Sequence, residues 1–202
     1  GGFNSSLFRS AISWIKEKKS KGIEVKLLPI GKKASAFYKR SDLEIIENFE
    51  DINTNERQLE VSDSVKNKIS ELFESQAIDE VSILYNKFVS AIAQEPTYKS
   101  LIPLEQPNSD EDTQDSGNAS FEFEPDKNEL LEYLIPRNFM TQIYGSILES
   151  SAAEHAARMT SMDNATRNAG DMIDSLTMTY NRTRQAVITK ELIEIISGAE
   201  AV

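Results

Sequence analysis

Cysteine is absent from the 202-residue chain, and histidine occurs once, at His155. The first absence excludes a disulfide framework and any thiolate nucleophile or metal ligand. A single imidazole excludes the multi-histidine zinc and iron sites. No apolar run approaches the ~20 residues that span a bilayer, and no charged segment followed by an apolar one opens the chain. A soluble or peripheral protein is therefore predicted. No methionine stands at the start, which reads Gly1-Gly2-Phe3, so a natural start that was removed or lies upstream is expected. After Pro136 there is no proline, and the only glycines before Gly198 are Gly145 and Gly170. Little in the last third would stop a helix.

What is present is charge, unevenly spread. The net charge is -11, yet residues 1–40 carry +8, residues 41–103 carry -8, residues 104–129 another -8, and residues 130–202 carry -3. A basic opening could mean nucleic-acid contact. However, Lys16, Lys18, Lys19 and Lys21 cluster where a helix should end, and there they suit the negative end of its dipole and a solvated face. No nucleic-acid-binding module accompanies them, so nucleic acid is not an expected partner. Hydrophobic content of 39% is low for a compact globule and too high for a disordered chain, which fits an elongated protein of one or two domains.

Leu7, Phe8, Ala11, Ile12, Trp14 and Ile15 recur with a helical period behind the candidate N-caps Asn4, Ser5 and Ser6, and Gly22 follows as a C-cap. Ile23, Val25 and Leu27 alternate as a strand. Lys32 to Arg40 reads as a short helix and Leu43 to Glu47 as a strand. Val61, Val65, Ile69, Leu72 and Phe73 mark another amphipathic helix. Val81 to Ala93 and Thr97 to Leu104 read as strands about a Glu95-Pro96 turn. The resulting order predicts an α/β class: a small Rossmann-like mixed-sheet domain over 1–125, followed by a long C-terminal coiled-coil helix over 126–202. Residues 105–120 are acidic and lack aromatic and β-branched apolar side chains, which predicts a mobile surface loop. Phe121, Glu122, Phe123 and Glu124 alternate. Their two carboxylates on one strand face suit an acidic outer surface better than acid/base chemistry, because nothing else converges on them.

The pattern from Asp126 to Ser197 is helical throughout, with a kink expected near Leu134 because of Pro136. Residues 137–197 as one helix would measure about 90 Å at ~1.5 Å per residue, whereas a globule of this size has a radius of gyration of about 17 Å. The helix is expected to project from its own domain. Its seam runs through Leu148, Ala152, His155, Met159, Met162, Thr166, Ala169, Ile173, Leu176, Tyr180, Thr183 and Val187, in alternating steps of four and three. That heptad pattern implies a left-handed coiled coil. His155 reads as a tolerated polar knob in it. No other helix here matches that length, so the partner helix must come from another chain, a symmetry mate or a missing N-terminal segment. Near the end, Val187, Ile188, Leu192, Ile193, Ile195, Ile196 and Ala199 cover about 240° of the helix, which predicts a tip surrounded by protein.

The stretch Ile188-Thr189-Lys190-Glu191-Leu192-Ile193-Glu194-Ile195-Ile196-Ser197-Gly198-Ala199-Glu200-Ala201 resembles the C-terminal signature of the gamma subunit of rotary ATP synthases. Tyr180-Asn181-Arg182-Thr183-Arg184-Gln185-Ala186, Ala156-Ala157-Arg158-Met159 and Gly1-Gly2-Phe3-Asn4 are similar to that family too. The likeness runs end to end except at 105–120. It implies a rotor shaft in the cavity of an alpha/beta hexamer, with a foot that binds the epsilon subunit and the ring of c subunits. Such a subunit is itself non-catalytic and couples proton flow to ATP synthesis or hydrolysis, without inserting in the membrane. It is peripheral, on the cytoplasmic face of the bacterial inner membrane or the matrix side in mitochondria. The resemblance places Arg184, Gln185, Thr189 and Glu191 near the catch loops of beta subunits, and links Arg158 and Glu124 to coupling. It also implies that a long N-terminal helix, wound antiparallel to the C-terminal one, and the strand after it are missing from this sequence. No catalytic, cofactor-binding or metal-binding residue is implied. Two rival readings remain at this stage: a nucleotide-binding α/β enzyme using Gly1-Gly2 as a phosphate loop, which lacks the usual glycine spacing, and a coiled-coil adaptor that dimerises through its own seam.

Overall fold

The computed structural model describes residues 2–104 and 126–200. The chain divides into two compact units, Gly1–Ala157 and Arg158–Val202. The acidic stretch 105–120, the alternating Phe121–Glu124 segment and the candidate coupling residue Glu124 lie outside the described residues.

The first unit opens with α1 (Gly2–Ser20). Asn4, Ser5 and Ser6 lie inside it and are not caps, because the helix begins earlier; the Ser6 hydroxyl donates back to the Phe3 carbonyl at 2.9 Å. The far end follows expectation. Gly22 takes φ 78°, its N–H donates to Lys19 O at 3.0 Å, and Ile23 N–H donates to Lys18 O at 3.1 Å. This pair of bonds is a Schellman closure that needs a left-handed residue. Next come β1 (Lys26–Leu27), α2 (Lys32–Tyr38), β2 (Glu44–Ile45) and α3 (Asn55–Glu74). The Thr54 hydroxyl oxygen accepts from Arg57 N–H at 3.3 Å and starts α3.

β1 and β2 pair in parallel, and the ladder is shorter than the sequence predicts, extended only by a bridge between Ile30 and Phe49. β3 (Val81–Ser90) and β4 (Ala93–Ile102) form an antiparallel hairpin. Both strand orientations expected of a mixed sheet are thus present, as two separate ladders among the described residues. The hairpin turn falls at Ala91-Ile92, and the expected Glu95-Pro96 turn is instead strand, with Pro96 opposite Asn86. Pro96 is tolerated there because β4 has one edge unpaired among the described residues, where a missing N–H costs no ladder bond. The turn is held by a side chain: Ser90 Oγ accepts from Ala93 N–H at 3.1 Å.

α4 (Lys127–Glu200) is assigned as one helix through Pro136. Its first part closes the core of the first unit. Ile143 and Ile147 pack with Val61, Val65 and Ile69 of α3 and Leu101 and Ile102 of β4, with Phe139 and Phe49 at the margin. Elsewhere in this unit α1 sits on aromatic side chains: Phe8 stacks on Phe37 at 4.3 Å, and Trp14 stacks on Tyr98 at 5.5 Å. The Tyr38 ring meets Phe8 edge-on.

Burial pushes the Tyr38 phenol from 10.0 up to about 12, with the neighbouring Tyr98 adding to the shift. Burial favours the neutral phenol, so its contribution to stability is complete below pH 10 and is lost as pH rises toward 12. After allowance for solvent screening, the loss should be about 1–2 kcal/mol. Urea midpoints should therefore fall across that interval, and Tyr38→Phe should flatten the fall. An identical alkaline slope in both proteins would contradict the assignment.

Candidate functional site: the exposed face of the C-terminal helix

An α-helix advances about 100° per residue, so the seam positions form one slowly drifting stripe on α4. The upper seam lies in the second unit, where every described residue except the half-buried Thr160 is exposed. Met159, Met162, Ile173, Leu176, Tyr180 and Val187 are all exposed, and so is the apolar tip. From Met159 to Ile196 the large apolar side chains are 46–69% exposed. Moving a single Leu, Ile or Met side chain of this kind from water into protein contributes about 1.5–3 kcal/mol. A run of them left in water marks an interaction surface.

The six candidate coupling residues do not form one cluster. Glu124 is outside the described residues, and Arg158 is exposed at the first position of the second unit. The other four share the tip. Taking Arg184 as zero, Glu191 lies one stripe over at about -20°, with Gln185 and Thr189 at about 100° and 140°. Ile188, Leu192, Ile195 and Ile196 fall within the same arc, between about 20° and 120°. Val187 and Thr183 lie outside it, at about -60° and -100°. The arrangement is thus a polar frame around an apolar patch, offset from the seam. All of these side chains are exposed.

The lower part of α4 carries a second face beside the seam. Leu148, Ala152 and His155 are exposed, whereas Ile143, Ser146, Ile147 and Ala153 are buried, Ala153 completely. In the first unit the helix therefore has two working faces. One is anchored to α3 and β4; the other continues the seam. The anchoring residues Phe139, Ile143 and Ile147 were the ones missed from sequence, because their four-residue repeat overlaps the seam on the same helix. Tyr85 of β3 adds a polar contact to this anchor: burial, then the Glu149 carboxylate beside it, holds its phenol above the ordinary value.

Among the described residues, no group of three or more His, Asp or Glu side chains is placed to hold a metal ion. What the geometry does offer is a helix surface with polar groups at fixed angles around an apolar patch. Such a surface suits recognition, which defines the class: a subunit that presents a long exposed helix.

A family model described as ATP synthase matches residues 1–202. The chain is 46% identical over all 202 residues to the ATP synthase gamma chain of Paramagnetospirillum magneticum, spanning 69% of that protein. It is 43% identical to the gamma chain of Paracoccus denitrificans, spanning 68%. The chain belongs to the ATP synthase gamma-chain family. Its fold is also similar to that of a chain in the Euglena gracilis mitochondrial ATP synthase (OSCP, F1 and c-ring), with TM-score 0.60 and 19% identity, covering 100% of this chain and 69% of that one. Against the central stalk and c-ring of the Tetrahymena thermophila mitochondrial ATP synthase, the values are 0.50 and 24%, covering 69% and 60%. The chain thus spans about two thirds of the length of these relatives.

Proposed function

We propose that this chain is part of the central-stalk rotor of an ATP synthase, coupling proton flow through a membrane ring of c subunits to ATP synthesis or hydrolysis in a hexamer of alpha and beta subunits. One observation carries the reading: the apolar tip from Val187 to Ile196 is exposed all round its helix. Family membership supports it. No helix among the described residues is long and apolar enough to cross a membrane. The chain itself contributes no catalytic group in this reading; the chemistry belongs to the hexamer. An epsilon subunit binding the foot completes the set of partners.

The physical requirement on such a shaft is specific. Each rotor angle must shift the relative free energies of hexamer conformations, and only contacts that differ between conformations can do so. A shaft uniform around its circumference would turn without effect. The polar frame of Arg184, Gln185, Thr189 and Glu191 supplies an asymmetric pattern, with Arg158 and Glu124 acting lower on the chain. The seam of Leu148, Ala152, Met159, Met162, Ala169, Ile173, Leu176, Tyr180 and Val187 would hold a companion helix, leaving the frame free to face the hexamer.

The test is Arg184→Glu in the complete subunit, assembled with its partners. Because Arg184 is exposed, the free subunit should keep its fold. ATP-driven proton pumping should fall about tenfold or more, as charge reversal turns an attractive contact into a repulsive one. Pumping at the wild-type rate would remove Arg184 from the contact set.

A further inference from the structure

Helix-forming tendency is uneven along the exposed length of α4. Residues 163–183 hold twelve Ser, Thr, Asn, Asp or Gly among twenty-one, whereas residues 184–196 hold one, Thr189. These residue types disfavour a helix interior, because short polar side chains compete for backbone hydrogen bonds and glycine has the most backbone freedom to lose. All twenty-one are exposed, so no packing among the described residues offsets the deficit.

The hydroxyls show that competition directly. Thr166 Oγ1 donates to the Met162 carbonyl at 2.9 Å, Thr179 Oγ1 to the Ser175 carbonyl at 3.0 Å and Thr183 Oγ1 to the Thr179 carbonyl at 2.9 Å. Each of these carbonyls lies inside the helix, where a second donor weakens the helical bond and favours a bend. Asp171 and Asp174 add like charges three residues apart. One contact opposes the trend, the exposed ion pair of Arg167 with Asp163 at 3.0 Å, and exposed pairs of this kind contribute little. Gly170 has no steric reason among the described residues, since a Cβ there would meet nothing within 4 Å.

We infer that residues 163–183 form a soft joint built into α4, at which the helix opens and bends locally while the stretches on either side stay helical. The inference goes beyond the rotor reading and stands without it. Stability is not uniform within a fold, and a stretch with poor propensity and no burial opens first.

The three glycines of α4 provide a matched test, because Gly145, Gly170 and Gly198 each have room for a Cβ. Gly→Ala in a helix interior is expected to slow local opening about fivefold. Amide hydrogen exchange of the full chain, resolved by segment, should therefore slow about fivefold over 163–183 in Gly170→Ala and stay at the wild-type rate there in Gly145→Ala and Gly198→Ala. Equal slowing by Gly198→Ala would mean that the helix frays from its end, and equal slowing by Gly145→Ala that it opens as a whole; either result overturns the joint, as does an unchanged rate in Gly170→Ala. Bending is read separately. The cysteine-free sequence accepts spin labels at Ser161→Cys and Ala186→Cys, about 38 Å apart along a straight helix. Their distance distribution should narrow when Gly170→Ala is added and keep its width when Gly198→Ala is added. A width that Gly170→Ala leaves unchanged would overturn the bend.

Discussion

Aspartate at Ile193 and Ile196 should leave the free chain folded and destroy its assembly. Both side chains are already in water in the free chain. The substitution therefore removes no buried contact and costs only the small difference in helix propensity, so helical ellipticity should change by less than about 10%. In the complex the same positions would place two carboxylates inside an apolar collar. Burying an unpaired carboxylate costs several kcal/mol, far more than an interface tolerates at two adjacent points. Co-purification of the complete subunit with alpha and beta subunits should be lost. Recovery of an intact complex would mean that the tip is not enclosed, and the shaft reading would fall with it. The same experiment separates a shaft from a dimerising adaptor, because an adaptor that pairs through the seam would still self-associate.

The opposite pattern is expected at Leu101. This side chain is fully buried where β4, α3 and α4 meet. Leu101→Ala removes its packing and leaves a void that close-packed neighbours only partly fill, at a cost of about 3–5 kcal/mol. For a chain of this size each kcal/mol lowers the melting temperature by roughly 2–4 °C, so the first unit should lose on the order of 10 °C. Near-UV ellipticity followed during heating would show this, and a loss under about 3 °C would contradict the proposed core. Helical signal from the second unit is expected to respond much less, because its described residues contribute nothing to that core.

These two outcomes mark what could be read from the residues alone. The α3 core face at Val61, Val65 and Ile69 was legible because one helix meets one core, and a single stripe results. Gly22 was legible because a left-handed closure has a strong residue preference. The hairpin turn was misplaced for an equally physical reason. A Glu-Pro pair carries a strong turn signal, whereas Ala91-Ile92 carries almost none, and the information sat in Ser90, whose hydroxyl does the work of a turn residue. On α4 the large apolar side chains of the heptad pattern are all exposed above residue 158. Below it, the apolar residues serve two masters, and two overlapping stripes on one helix cannot be separated by periodicity alone. The anchor through Ile143 and Ile147 needed the three-dimensional neighbours to reveal it. The polar frame at Arg184 to Glu191 has no periodic or compositional signal at all, and only the family likeness drew attention to it.

The stacking of Trp14 on Tyr98 has an experimental consequence. This is the sole indole in the chain, and the Lys18 ammonium sits 5.1 Å from its ring centroid, held there by the Glu80 carboxylate at 2.8 Å. A cation beside the ring and a phenol against its face set the emission of that indole, so its fluorescence is a built-in gauge of how α1 seats on the hairpin. Binding events confined to the far end of α4 should leave that gauge still, and any that move it must have travelled through the body.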